Sequence, residues 1–381
     1  MRSKDRIIKA LKHEEPDKVP LDMCGLVNSG IHINAYRNLL AYLHIKKSNI
    51  QVCDVIQQLA CVDEDILEIL KVDTRGIYPN EPSNWKLDLK EESNDSKYFI
   101  DQYGIKWKMP KNGYYFDPTN PPLSGLSLKN LFEYRFPDPR DKERLKKLKE
   151  KIIDYHNRNF FVHFYFFCGG FFEVGMWMRG FENFYCDLIL DPKFACLLMD
   201  KLLEIEIEFW DLVLSEMGDY IDMIFTANDI GGQNGLLISP TMYRKYIKPR
   251  QKKLNSFIRS KKPNIFIYYH SCGAIYDIIP DLIEIGVDAL NPVQVSAANM
   301  GTKKLKKEFG KDITFWGGGV DTQRVLPYGT PKEVKEEVKR RIEDLAPGGG
   351  FVFATVHNIQ ADVPPQNIMA MWEALQEHGK Y

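Results

Sequence analysis

His270 and Cys272 close the stretch Asn264-Ile-Phe-Ile-Tyr-Tyr-His-Ser-Cys-Gly273, whose β-branched and aromatic residues have the pattern of a buried strand. Residues i and i+2 of a strand point to the same side, so this imidazole and this thiol can reach one point. A neutral imidazole and a thiolate are a good ligand pair for Zn2+. Taken alone, the pair fits a core histidine beside a small buried cysteine just as well. His357 changes the weighting. It follows Phe351-Val-Phe-Ala-Thr-Val356, a second buried-strand pattern, and a helix does not account for it. Three N/S donors with an open fourth position are the mark of a catalytic zinc site. His270 and Cys272 with some other third ligand is the alternative.

The elements that must position these donors alternate. Strand patterns fall near residues 20, 74, 163, 224, 267, 291, 314 and 354, and helical patterns follow most of them, as at 240–260, 274–285, 331–345 and 366–378. Such alternation implies parallel pairing with right-handed crossovers, and eight strands suggest a (β/α)₈ TIM barrel. A doubly wound open sheet is the runner-up, but no Gly-x-Gly-x-x-Gly follows the first strand. Residues 2–13 read as an N-terminal amphipathic helix. Val52–Leu59, with apolar residues at 52, 55, 56 and 59, reads as another helix. Residues 80–125, rich in Pro, Gly, Asn and aromatics, read as an inserted β-hairpin with long loops. The chain, 1–381, is expected to be one domain carrying that insertion.

In a barrel the chemistry belongs at the C-terminal strand ends. Asp22 and Cys24, Asp73 and Arg75, Cys168-Gly-Gly170, Asn228-Asp229, His270 and Cys272, Asn291 and Gln294, Gly317–Asp321 and His357-Asn358 all fall there by the strand count. Asp and Asn also cap turns and helices for local reasons.

Composition excludes some classes of function. The 381 residues are 44% apolar and 27% charged with a formal net charge of −1, so no global field favours nucleic acid or an anionic membrane. No run is apolar enough to span a bilayer. The N-terminus lacks a secretory apolar core, and the seven cysteines are odd in number and scattered, so a cytoplasmic protein with reduced thiols is expected.

The chain resembles the uroporphyrinogen decarboxylase superfamily over nearly its whole length. The resemblance is carried by Arg6-Ile-Ile-Lys-Ala-Leu with Asp17-Lys-Val-Pro, by Asn228-Asp229-Ile-Gly-Gly-Gln-Asn-Gly with Ser239-Pro-Thr-Met-Tyr243 and Lys248-Pro-Arg250, and by His270-Ser-Cys-Gly, Trp316-Gly-Gly-Gly-Val-Asp321 and Gly348-Gly-Gly-Phe-Val-Phe. It implies the same barrel. The superfamily's decarboxylases carry an arginine-rich Arg-Gln-Ala-Gly-Arg segment after the first strand, suited to a substrate with many carboxylates. Here that place reads Met23-Cys-Gly-Leu-Val-Asn-Ser-Gly30, without arginine. Other members are zinc methyltransferases that work with corrinoid proteins, such as the methylcobamide:coenzyme M methyltransferases. Their zinc ligands are a His-x-Cys pair, matched by His270 and Cys272, and a later Cys, where His357 stands.

The resemblance therefore implies a zinc-dependent methyltransferase that exchanges methyl between a small donor or acceptor, a methyl ether or thiol, and a corrinoid on a partner protein or free cobalamin. Asp229, Asn228 or Asp73 would orient the substrate or handle a proton. Trp316, Tyr269 and Phe353 would wall the cavity, with Asn291 and Gln294 also at the substrate. A homodimer is compatible with this reading. The alternatives are a metal-free porphyrinogen-type decarboxylase using Asp73 or Asp22, and a non-catalytic barrel that binds a corrinoid protein.

Overall fold

The computed structural model describes residues 1–92 and 95–381 of the chain. In chain order its strands are β1 (Val52–Asp54), β2 (Leu59–Ala60), β3 (Thr74–Ile77), β4 (Lys90–Glu91), β5 (Lys97–Ile100), β6 (Lys106–Met109), β7 (Asp117–Thr119), β8 (Phe161–Phe164), β9 (Met223–Ala227), β10 (Phe266–His270), β11 (Ala289–Asn291), β12 (Thr314–Trp316) and β13 (Phe351–Val352).

Seven of these form one parallel sheet in the order β13-β12-β11-β10-β9-β8-β3. Its two edges meet the same short segment. Asp22 N donates to Phe353 O (2.8 Å), Phe353 N to Pro20 O (2.9 Å), and Asp73 N to Leu21 O (2.9 Å). Residues 20–22 thus lie between β13 and β3, and the curled sheet is a TIM-like barrel with its helices outside. Parallel strands need crossovers, which the helices supply, so both faces of the sheet are covered and its strands are almost entirely buried.

The period-2 alternation sorts the core into two layers. Inside the barrel pack Phe161, Met223, Phe225, Tyr268, Ala289, Trp316, Val352 and Ala354. Ile7, Ala10 and Leu11 of the helix Ser3–Leu11 belong to the same cluster. That helix is tied down by Gly350 N donating to Ala10 O and Lys4 N to Asn159 O, and so closes the N-terminal end of the barrel. The outer layer, between sheet and helices, takes Val162, Phe164, Ile224, Ile267, Tyr269, Leu290 and Phe351.

Two segments differ from expectation. Val52–Leu59 is not a helix. It is the hairpin β1–β2, bulged between Val52 and Asp54 and turned by Asp54, whose carboxylate accepts from Gln57 N (2.8 Å) and Gln57 Nε2 (3.2 Å). Local side-chain capture of backbone N–H groups outweighs the helical spacing of its apolar residues. Residues 90–119 form a four-stranded antiparallel sheet, β4-β5-β6-β7, where a single hairpin is expected; residues 93 and 94 of this insertion lie outside the described residues.

Candidate metal centre

β10 delivers the first donor. Its register pairs His270 with Ala227 of β9 and Asn291 of β11, all at the last residues of their strands. Phe266 and Tyr268 face the interior, so His270, two residues on, does too. Asn291 Nδ2 donates to Trp316 O (2.8 Å), which fixes the amide and turns its Oδ1 toward His270 Nδ1 (2.7 Å). With its proton on Nδ1, toward that oxygen, the ring keeps the Nε2 lone pair that a metal ligand requires. Asn28 also reaches Nδ1 (2.8 Å) and is held by Tyr165 (3.1 Å).

Past the strand end the chain turns sharply. Gly273 adopts φ +89°, and a Cβ there would fall 2.4 Å from Gly231's carbonyl carbon, so only glycine permits this approach of the two loops. The turn is fixed by Cys272 N donating to Asp229 Oδ1 (2.8 Å) and Gly273 N to Gln294 Oε1 (2.7 Å). It brings Cys272 Sγ to 3.5 Å from His270 Nε2. His357 comes from the loop after β13 with φ +66°, its carbonyl accepting from Thr355 Oγ1. Its ring lies 5.3 Å from that of His270, and the ligand atoms of the three residues all fall within 4.8 Å of one another.

A tetrahedral zinc with bonds of about 2.0–2.3 Å separates its ligand atoms by roughly 3.3–3.7 Å. The His270–Cys272 separation already has that value, and His357 offers its ligand atom within 4.8 Å of the other two. The chemistry of the donors fits as well. Burial lowers the pKa of His270, against the opposing pull of Asp229 and Asn291, and burial followed by the neighbouring His270 brings His357 down to about 3. Both imidazoles are neutral and able to coordinate. Burial, then Asp229 and Glu173, pushes the Cys272 thiol up, so a cation entering the site displaces its proton.

Two carboxyl groups border the donors. Asp229 Oδ1 lies 3.6 Å from His270 Nε2, with a third of the side chain exposed. Glu173, from the helix Phe171–Arg179 that follows β8, has its pKa raised well above the usual carboxylate range by burial and by Asp229. Aromatic rings line the interior beneath them. Tyr165 stacks on Phe225 at 4.0 Å, Phe225 lies 6.2 Å from the His270 ring, and Tyr78 is 5.5 Å from Tyr165.

Of the residues expected at the site, His270, Cys272, His357 and Asp229 come together. Asn291 is present as the group that orients His270, and Gln294 braces the loops, its Nε2 donating to Gln233 Oε1 (3.0 Å). Asp73 is at the opposite end of the barrel. It precedes β3, pairs with Arg6 Nη1 (2.5 Å) and accepts from Leu21 N (3.0 Å), so it has a structural partner and no route to the donors. Asn228 points outward and ties Phe172 N (2.8 Å) to Gln251 (3.2 Å). Tyr269 and Phe353 lie in the outer layer, because odd and even residues of a strand face opposite ways. Trp316 is inside but fully buried, its Nε1 donating to Asp22 Oδ2 (2.8 Å); it is floor rather than wall. Glu173, Asn28, Tyr165 and Phe225 were not expected. Only Glu173 left a trace, as an acid in the first turn after the strand-end glycines Gly169-Gly170.

The family profile described as Uroporphyrinogen decarboxylase (URO-D) matches residues 101–378. Uroporphyrinogen decarboxylase of Geobacter sulfurreducens is 23% identical over 184 residues, 48% of this chain and 49% of that protein. The protein of the same name from Geobacter metallireducens is 25% identical over 185 residues, 48% of this chain and 49% of that one. The chain thus spans about half the length of the curated relatives it matches. Among solved structures, a methyltransferase from Methanosarcina mazei superposes with a TM-score of 0.65 at 20% identity, covering 99% of both chains. Among the described residues no helix is long and apolar enough to cross a membrane.

Proposed function

This chain belongs to the uroporphyrinogen decarboxylase family, and within it we propose a zinc-dependent methyltransferase that moves a methyl group between a small substrate and a corrinoid, the corrinoid carried by a partner protein. The observation that carries the reading is the convergence of His270, Cys272 and His357 at the C-terminal end of the barrel, with Asn291 fixing the His270 tautomer. Those three residues would hold the metal. When bound, zinc supplies Lewis acidity at an open fourth position.

The remaining residues have separate tasks. Asp229 has one oxygen engaged by Cys272 N and the other free, so it can orient a substrate beside the donors. Glu173, its pKa raised by burial and by the charge of Asp229, would deliver a proton to a departing alkoxide or phenoxide. Phe225, Tyr165 and Tyr78 keep water from the interior side. The arginine-free stretch 23–30 supports this reading over decarboxylation of a polycarboxylate. Asn28 from that stretch lies against the His270 ring.

Two imidazoles and one thiolate leave a zinc site a net formal charge of about +1, against about zero for one imidazole and two thiolates. Zinc held by these three residues would therefore favour an oxygen leaving group over a bound thiol, which makes a methyl ether the expected substrate class. The test is zinc content together with methylcobalamin formation from cobalt(I) cobalamin and a panel of methyl ethers. Wild type is expected to carry one zinc and be active; His270→Ala is expected to lose both. A zinc-free, fully active wild type would refute the reading.

A further inference from the structure

Two amides face the Nδ1 edge of His270: Asn28 Nδ2 at 2.8 Å and Asn291 Oδ1 at 2.7 Å. One comes from the stretch 23–30 and the other from the end of β11, yet both lead back to a single carboxylate. Asp22 has no exposed surface. Its Oδ2 accepts from Trp316 Nε1 (2.8 Å), and the carbonyl of the same tryptophan accepts from Asn291 Nδ2 (2.8 Å). Its Oδ1 accepts from Ser29 Oγ (3.0 Å) and Thr74 Oγ1 (2.7 Å). Ser29 is the neighbour of Asn28 in the turn Val27–Ser29. It also takes Leu26 N on its hydroxyl (3.1 Å) and Cys24 N on its carbonyl (2.7 Å), and so pins the stretch that carries Asn28.

The chain is shaped to this carboxylate. A Cβ on Gly25 would fall 1.9 Å from Thr74 Oγ1 and 2.5 Å from Asp22 Oδ1, and one on Gly76 would fall 2.1 Å from Gly25 O. Glycine at both positions lets the stretch 23–30 lie directly on Asp22 and on β3. A carboxylate in an apolar interior needs its lone pairs met, and here three side-chain donors meet them.

We propose that Asp22 is a positioning residue for the metal centre, the common anchor through which Trp316 with Asn291 and Ser29 with Asn28 hold the His270 ring from two sides. It touches neither metal nor substrate. Partners behind a ligating histidine set the ring's orientation, and loss of one weakens metal binding by about 10–100-fold. Asp22 stands one hydrogen bond further out, so the lower end of that range, about tenfold, is expected. The inference rests on the metal reading of His270, Cys272 and His357.

The full chain, freed of metal by a chelator, is titrated with zinc by chelator competition and with Co2+, whose absorption bands report the geometry around the ion. Asp22→Leu keeps the volume and removes every acceptor. It is expected to bind zinc about tenfold more weakly than wild type and to shift the cobalt bands. Asp22→Asn is expected to restore both, because its Oδ1 can take Trp316 Nε1 while its Nδ2 turns to the Ser29 and Thr74 hydroxyls, which can accept. Ser29→Ala and Trp316→Phe each cut one arm and leave the carboxylate in place. Each is expected to weaken zinc binding roughly threefold, half of the tenfold on a logarithmic scale, and these two decide the matter if Asp22→Leu does not fold. Zinc bound as tightly by both single-arm variants as by wild type, by a folded Asp22→Leu as by wild type, or as weakly by Asp22→Asn as by Asp22→Leu, would overturn the assignment and leave the metal reading intact. A wild type that takes up neither metal would overturn that reading, and this inference with it.

Discussion

Asn291 separates the orientation of a ligand from the stability of the barrel. It makes two hydrogen bonds with different jobs: Oδ1 accepts from His270 Nδ1 at 2.7 Å, and Nδ2 donates to Trp316 O at 2.8 Å. Asn291→Leu removes both. A buried carbonyl loses its donor, at about 1–3 kcal/mol, and a second buried hydrogen bond is lost at about 1 kcal/mol, so the fold should lose roughly 2–4 kcal/mol. His270 also loses the acceptor that sets its tautomer, which should weaken zinc binding by about 10–100-fold. Asn291→Asp keeps the acceptor and drops only the donor. It should destabilise the fold by a comparable amount yet leave zinc affinity near wild type, since a carboxylate raises the basicity of the imidazole. The assay pairs a chelator competition for zinc with urea unfolding of the metal-free proteins. If the two variants lose zinc affinity equally, or if Asn291→Leu binds zinc as wild type does, His270 is not held by Asn291 in the way described.

The remaining predictions concern charge, ligand identity and the far end of the barrel. Both imidazoles are neutral at physiological pH and only the raised Cys272 thiol must lose a proton on metal binding, so log zinc affinity should rise with pH at about one unit per pH unit from pH 6 to 8; a slope near zero or near two, measured by chelator competition, contradicts this. His357→Ala should lose zinc and activity, whereas His357→Cys should keep zinc and shift methyl transfer from ethers toward thiols in the cobalamin assay. An unchanged ether-to-thiol ratio in His357→Cys would sink the charge argument. Asp73→Ala removes the acceptor of Arg6 Nη1 and of Leu21 N while Asp17 still pairs with Arg6 Nε and Nη2, so it should cost about 1–3 kcal/mol in urea unfolding while zinc content is unchanged; loss of zinc in a folded Asp73→Ala would return Asp73 to the site. The pure protein should leave uroporphyrinogen unconverted, and accumulation of coproporphyrinogen would show that the missing arginines are dispensable.

His270 and Cys272 were legible because a strand's two-residue period is rigid and the Gly273 that follows forces the turn. The same period forbids Tyr269 from sharing the face of His270, so the reading that walled the cavity with Tyr269 neglected a rule already in use. Asp73 failed for a different reason: a strand's start and end look alike in sequence, and a shift of a few residues moves a side chain from one mouth of the barrel to the other. In Val52–Leu59 the apolar spacing was helical, yet the bonds from Asp54 to Gln57 decided the conformation. Asn28 and His270 are 242 residues apart in the chain, and no local pattern announces such a contact. What could be read was periodic; what could not was set by tertiary packing.

The central claim is that one metal ion sits between His270, Cys272 and His357. Crystals of the zinc-loaded protein, measured on both sides of the zinc absorption edge, test it directly. The account predicts a single anomalous peak at about 2.0–2.1 Å from one nitrogen of each histidine and about 2.3 Å from Cys272 Sγ, with density for a fourth ligand on the Asp229 side. A stoichiometric zinc peak away from these three atoms, or none in crystals whose solution holds excess zinc, would contradict it.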